Sequence, residues 1–152
     1  MQEHFTNLRA TRKNIALVIK GLSQEQFNKI PDGFNNNIAW NFGHIIVTQQ
    51  LLVYALSGAK TIIPTDIINL YRKGTSPTTP VTQEQIDELK SYLDSAIDQT
   101  EKDLAAGVFG DYKEYPTSYG ITLHNLEEAI IFNNMHEAMH LGYIMAMKRA
   151  LG

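Results

Sequence analysis

The sequence predicts an all-α protein. Apolar residues recur at intervals of three and four over four long segments, which is the period of helices with one buried face. No segment alternates apolar and polar residues for long enough to indicate a strand, and turn residues separate the four segments. With 152 residues, 43% hydrophobic and 19% charged, we expect one globular domain spanning residues 1–152.

The first predicted helix runs from about Phe5 to Leu22, with apolar residues on one inward stripe. Ser23 follows as an N-cap, and Gln26 stands three residues later in the capping-box position. A short helical segment is therefore predicted from Gln24 to Ile30. The sequence Pro31-Asp32-Gly33 ends it.

The second predicted helix begins after Asn36 or Asn37, either of which is a good N-cap, and continues to Ser57, before Gly58. Its inward stripe places a histidine where a core residue belongs. The stripe consists of Trp40, His44, Val47, Leu51 and Tyr54.

Residues 59–81 form the longest connection, in which Thr65 to Arg72 is predicted as a short helix. A connection of this length can cross a helical bundle from one end to the other. We therefore expect a four-helix bundle with a long connection between the second and third long helices.

Thr82 and Gln85 repeat the capping-box pattern and begin the third long helix, which Gly107 ends. The fourth follows a tyrosine-rich loop, with Thr122 as its expected cap, and runs nearly to Leu151. The inward stripe of the third helix is Ile86, Leu89, Leu93, Ala96, Thr100 and Leu104. That of the fourth is Leu126, Ile130, Asn133, His136, Glu137, His140, Ile144 and Met147.

Composition excludes several functions. The absence of cysteine removes disulfides, thiolate metal sites and cysteine nucleophiles. A formal charge of −3 without a basic cluster argues against nucleic-acid binding. Polar residues interrupt the most apolar stretch, 38–59, and the N-terminus lacks the features of a secretory signal, so we expect a soluble, cytoplasmic protein without membrane partners.

His136 and His140 lie one helical turn apart on the inward face of the fourth helix, at chelating distance for one metal ion. The alternative is a pair of solvent-facing histidines. His44 alone is best explained as a core histidine, but three buried imidazoles on two helices are satisfied together by one divalent cation. Three protein ligands also leave an open position, which is typical of catalytic sites. His4 and His124 are not expected to bind the ion.

Three neighbours of these histidines have two interpretations each. Asn133 either hydrogen-bonds a ligand imidazole or a bound water, or contacts only backbone. Trp40 either packs in the core or forms a pocket wall. Glu137 either acts as a base or pairs with a neighbouring helix or solvent.

The motif His136-Glu137-Ala138-Met139-His140 does not predict a zinc peptidase, because no histidine or acidic residue follows to supply a third ligand.

A di-iron bundle is also excluded, since it needs two Glu-x-x-His motifs and two further glutamates, and one motif is present.

Three segments instead resemble, in this order, the DinB/YfiT-like superfamily of metalloenzymes: Asn37–Ile45, His136–Gly142 and Met147–Gly152. The resemblance spans nearly the whole chain. Tyr143 stands where the family more commonly has glutamine after the last His-x-Gly.

This resemblance implies that His44, His136 and His140 hold a divalent metal ion, with zinc, nickel and iron all reported in the family. It also implies a homodimer and a small-molecule substrate, because characterised relatives include transferases and isomerases that use the low-molecular-weight thiols bacillithiol, mycothiol or glutathione. The leading hypothesis is a metal-dependent enzyme of thiol-transferase, isomerase or hydrolase type. Its rival is a non-catalytic interaction protein with a vestigial or structural metal site.

Overall fold

The computed structural model describes residues 1–152 and confirms the all-α prediction. A single 3-10 turn, Ala55–Ser57, and one pair of two-residue antiparallel strands, with Tyr115 opposite Leu123, complete the fold. The helices are α1 Gln2–Ile19, α2 Gln24–Asn28, α3 Ile38–Val53, α4 Thr65–Tyr71, α5 Gln83–Ala105 and α6 Leu126–Leu151, and the strands are β1 Tyr115–Pro116 and β2 Thr122–Leu123.

Capping residues account for most of the helix starts. Ser23 caps α2 and Thr82 caps α5, each in a complete capping box, and the Asn37 side chain accepts from the backbone N–H of Trp40 to cap α3. The predicted cap of the last helix is wrong. Thr122 lies in β2, and Asn125 caps α6 by accepting from the backbone N–H of Glu128.

Three predicted helix ends also differ from the structure. The short helix α2 ends at Asn28 rather than Ile30, because Lys29 is extended. The first helix ends at Ile19 rather than Leu22, because Lys20 is extended and Gly21 has a φ of 78°. The second stops being α-helical at Val53, and the 3-10 turn carries the chain to Gly58, whose φ of 70° ends it as predicted. A positive φ of this kind favours glycine, which has no Cβ to clash with the backbone.

The four long helices contact one another in the cyclic order α1, α6, α3 and α5. Their inward faces share a core in which α3 is buried on almost every side, including its polar residues Asn41, Gln49 and Gln50. No helix is both long enough and apolar enough to cross a lipid bilayer.

The long connection 59–81 is held against α2 and α3 by specific contacts. The Asn28 side chain donates to the Val81 carbonyl and accepts from the Val81 N–H, which ties the end of the connection to α2. The ring of Tyr71 in α4 lies against Gly43, where a Cβ would be 2.5 Å from the ring carbons. Gly43 therefore lets α4 approach the middle of α3, beside His44.

Candidate metal centre

Three buried histidines meet between α3 and α6. One nitrogen from each of His44, His136 and His140 lies within 4.8 Å of the others. The α3–α6 contact brings His44 opposite the other two, which lie one turn apart on the buried face of α6. The predicted convergence of these three residues is therefore confirmed.

Backbone geometry fixes the orientation of the His44 ring. Its Nδ1 is 2.7 Å from the carbonyl oxygen of Tyr71. A carbonyl only accepts hydrogen bonds, so Nδ1 carries the proton and Nε2 carries the lone pair. The Thr48 hydroxyl lies 3.3 Å from that Nε2 and can donate to it.

A side-chain amide fixes His140 in the same tautomer. Its Nδ1 is 2.8 Å from Oδ1 of Asn41, whose Nδ2 donates to the Asn36 side chain and to the Asn37 carbonyl. Because Nδ2 is occupied as a donor, the Asn41 oxygen must be the atom that faces the imidazole. His140 therefore donates from Nδ1 and presents Nε2 as a lone pair. Such outer partners set the ring orientation of metal-binding histidines.

The third ring, His136, completes a donor set that fits a divalent ion. Its Nε2 lies 3.1 Å from Nε2 of His140, and its buried Nδ1 has no hydrogen-bond partner. Two imidazole nitrogens at about 2.0–2.1 Å from a tetrahedral metal would be about 3.3 Å apart, close to this separation. The Nε2 atoms of His44 and His140 are lone-pair donors within a cluster whose nitrogens lie within 4.8 Å of one another, and a cation satisfies such a cluster.

All three imidazoles are held in the form that binds metals. Burial lowers the pKa of His136 to about 3, with neighbouring His140 and His44 adding to the effect. Burial, and then His44, lowers the pKa of His140 to about 4. Burial also lowers the pKa of His44, although its bond to the Tyr71 carbonyl acts in the opposite direction. The rings are therefore neutral at pH 7, and a metal ion need not displace protons from them.

Trp40 is in direct contact with this centre. Its indole stacks on the His44 ring, with centroids 4.5 Å apart and planes 12° from parallel. The indole Nε1 donates to the Thr75 hydroxyl at 3.0 Å, which holds the ring in this position. Trp40 thus packs in the core and also covers one face of a candidate ligand.

Glu137 pairs with another helix and makes no hydrogen bond to the histidines. Both residues of the Arg12–Glu137 pair are fully buried, and Arg12 donates to the two carboxylate oxygens at 3.0 and 2.8 Å. Arg12 also donates to the carbonyls of Tyr92 and Leu93. Of the two predicted roles for Glu137, the structure favours the helix partner, because both carboxylate oxygens are already occupied.

Asn133 belongs to the same buried network. Its Nδ2 donates to Glu137 Oε1 at 2.9 Å, and its Oδ1 has no partner. Of the partners predicted for Asn133, a ligand imidazole and the backbone alone are not the ones observed, and a bound water stays a prediction. Sequence reasoning missed Arg12 altogether, although it occupies an inward position of α1 between Leu8 and Ile15.

The two remaining histidines lie elsewhere, as predicted. His4 is 3.7 Å from a carboxylate oxygen of Glu127, and His124 is 3.0 Å from Glu114. Neither belongs to the cluster. A cavity of about 210 Å³ opens beside the centre and is lined by His44 and His136 among its walls.

These features define a class of helical protein in which three converging imidazoles in the core could hold a metal ion. The chain belongs to the DinB superfamily, whose family model matches residues 7–144. No curated protein matches the sequence.

Proposed function

We propose that the protein is a metal-dependent enzyme that holds one divalent ion between His44, His136 and His140. The observation that carries the proposal is the fixing of two rings by Tyr71 and Asn41, which leaves the Nε2 of each ring as a lone-pair donor in the buried three-histidine cluster. The cyclic packing of the long helices supports a four-helix bundle, with residues 59–81 as its long connection.

The donor set is compatible with zinc, nickel or iron, because imidazole nitrogen suits all three. When bound at three protein ligands, such an ion supplies a Lewis acid that lowers the pKa of a thiol or a water molecule. The chain's own part is to keep the rings neutral and oriented, and to exclude water with the Trp40 face. Since the chain has no cysteine, a reacting sulfur would come from a low-molecular-weight thiol.

Metal content tests this proposal directly. The purified wild type should carry about one divalent ion per chain by elemental mass spectrometry, and His136→Ala should carry much less. His124→Ala is the matched control, because that histidine is exposed and outside the cluster. Equal metal content in wild type and His136→Ala would remove the basis of the proposal.

Activity is tested separately with the metal-loaded protein. A screen of glutathione, bacillithiol and mycothiol with electrophiles should show turnover that His136→Ala lacks, and ester or amide substrates test the hydrolase version. Binding of metal without turnover in either screen would favour the rival function, protein–protein contact by a bundle with a structural or vestigial metal site.

One observation favours such contact. Four large apolar side chains at four-residue spacing are exposed along one face of α6, namely Ile131, Met135, Met139 and Tyr143. We propose that a second copy of the chain covers this face, giving the homodimer expected of the family. Light scattering should then give twice the 17.1 kDa of one chain. Met135→Glu should lower that mass, whereas Leu17→Glu, at an exposed leucine of α1, should leave it unchanged.

A further inference from the structure

The cavity beside the three histidines has mostly apolar walls. Its volume of about 210 Å³ exceeds the roughly 150 Å³ that holds a benzene molecule, so a ligand of about ten non-hydrogen atoms fits. The two candidate ligands His44 and His136 lie on one part of the lining. The apolar part is formed by Leu51, Leu52, Ala55, Leu56, Tyr115 and Phe132.

The lining carries a positive charge and no negative one. None of the twelve lining residues is acidic, and Lys73 is the single one with a permanent charge. Lys73 is exposed and makes no ion pair or side-chain hydrogen bond within the chain. Its ammonium group is therefore available to a ligand. The other polar groups of the side-chain lining are the two imidazoles and the hydroxyls of Thr48, Tyr115, Thr117 and Ser118.

Lys73 is also connected to the histidine cluster through the backbone. It follows Tyr71 by two residues, and the Tyr71 carbonyl holds the His44 ring. The segment that orients one candidate ligand thus also places the cation at the cavity. A larger cavity, of about 520 Å³, is lined by the loop from Gly74 to Pro80 and by none of the three histidines.

We infer that the cavity takes a small molecule with an apolar body and one carboxylate, and that Lys73 is the residue that selects the negative charge. One ammonium group matches a monoanion better than a dianionic phosphate, and the absence of acidic neighbours leaves its charge uncompensated. This inference rests on the proposed function, because it makes the cavity the substrate pocket of the three-histidine centre.

Benzoate and its neutral analogue benzamide are suitable probes, since they share a ring that the cavity can hold. Binding of each is measured by NMR titration of metal-free protein, so that a carboxylate cannot be captured by a metal ion. Wild type should bind benzoate more tightly than benzamide. Lys73→Gln should weaken benzoate binding by up to about fivefold, the upper end of what one exposed charge pair contributes, and leave benzamide binding unchanged.

Two further variants control the result. Arg72→Gln removes the neighbouring exposed cation, which does not line the cavity, and should leave both affinities unchanged. Ala55→Phe adds bulk at an exposed position of the lining and should weaken both probes. Equal binding of benzoate by wild type and Lys73→Gln would overturn the inference, and so would equal binding of both probes by wild type.

The outcomes separate this inference from the proposed function. Suppose that the purified protein carries one metal ion per chain but its metal-free form binds neither probe. This result would overturn the proposed substrate class and leave the metal centre supported. Conversely, benzoate binding that depends on Lys73 in a protein with no specific metal content would support the cavity's selectivity and contradict the metal-dependent enzyme.

Discussion

The buried pair between Arg12 and Glu137 makes a strong prediction about stability. In Arg12→Met, the fully buried Glu137 carboxylate loses two donors, at 3.0 and 2.8 Å, and keeps one bond from Asn133. Breaking a buried ion pair from one side costs about 3–5 kcal/mol, because an uncompensated charge stays in the core. The free energy of unfolding of a native protein is only about 5–15 kcal/mol. Arg12→Met should therefore lose a large share of it.

Replacing both partners should restore most of that loss. In Arg12→Met with Glu137→Met, no charge is left buried, and the main deficit is the unpaired amide of Asn133, about 1–3 kcal/mol. Urea unfolding of wild type, both single variants and the double variant gives the coupling energy, expected to be at least about 2 kcal/mol. Metal content of the double variant should match the wild type, because the Glu137 carboxylate is bonded to Arg12 and Asn133 and not to the histidines.

Arg9→Met is the matched control on the same helix. Arg9 pairs with Asp98 and Glu101 at the partly exposed surface, where such pairs contribute about 0–1 kcal/mol. A loss in Arg12→Met no larger than that of Arg9→Met would refute the reasoning. The same conclusion would follow if the double variant were no more stable than Arg12→Met alone.

Three other predictions concern the metal centre. Asn41→Leu removes the acceptor for His140 Nδ1 and should weaken metal binding by about 10- to 100-fold in a competition titration, and unchanged affinity would contradict its role. Gly43→Ala would place a Cβ 2.5 Å from the Tyr71 ring and should lower the free energy of unfolding by about 1–3 kcal/mol. Gly142→Ala, with open space around its Cβ, should be neutral or slightly stabilising, so equal losses in the two glycine variants would refute the packing argument. The folded pKa values of His136 and His140, about 3 and about 4, lie below the ordinary 6.5, so their contribution to metal-free stability is complete above pH 6.5 and is lost as the pH falls toward 4. The free energy of unfolding, measured with urea, should therefore be lower at pH 5 than at pH 7, by up to about 2 kcal/mol for each histidine. A free energy of unfolding that does not change with pH would count against the lowered pKa values.

Periodicity predicted most of the fold because burial on a helix follows a fixed repeat. The predicted stripe of α5 is buried from Ile86 to Thr100, and the inward face of α6 includes all four polar residues predicted there, Asn133, His136, Glu137 and His140. The capping boxes at Ser23 and Thr82 were also predictable, since each depends on two residues three positions apart.

What sequence could not supply is the partner of each polar side chain across the core. Arg12 pairs with a residue 125 positions away, and local spacing carries no information at that separation. The bond from His44 to the Tyr71 carbonyl was equally unpredictable, since every residue offers a carbonyl. The start of α6 was misplaced because Thr122 and Asn125 are both good caps, and the strand pairing of Thr122 with Pro116 excludes the earlier one.

The Tyr71 carbonyl gives the connection between α3 and α5 a thermodynamic role. Because α4 must be docked for His44 to keep its orientation, opening of this short helix and release of an ion would be linked equilibria. Metal would then slow amide hydrogen exchange in 65–71, a segment that contributes none of the three candidate ligands. A short helix outside the four-helix core would in this way contribute to the affinity of the centre for its ion.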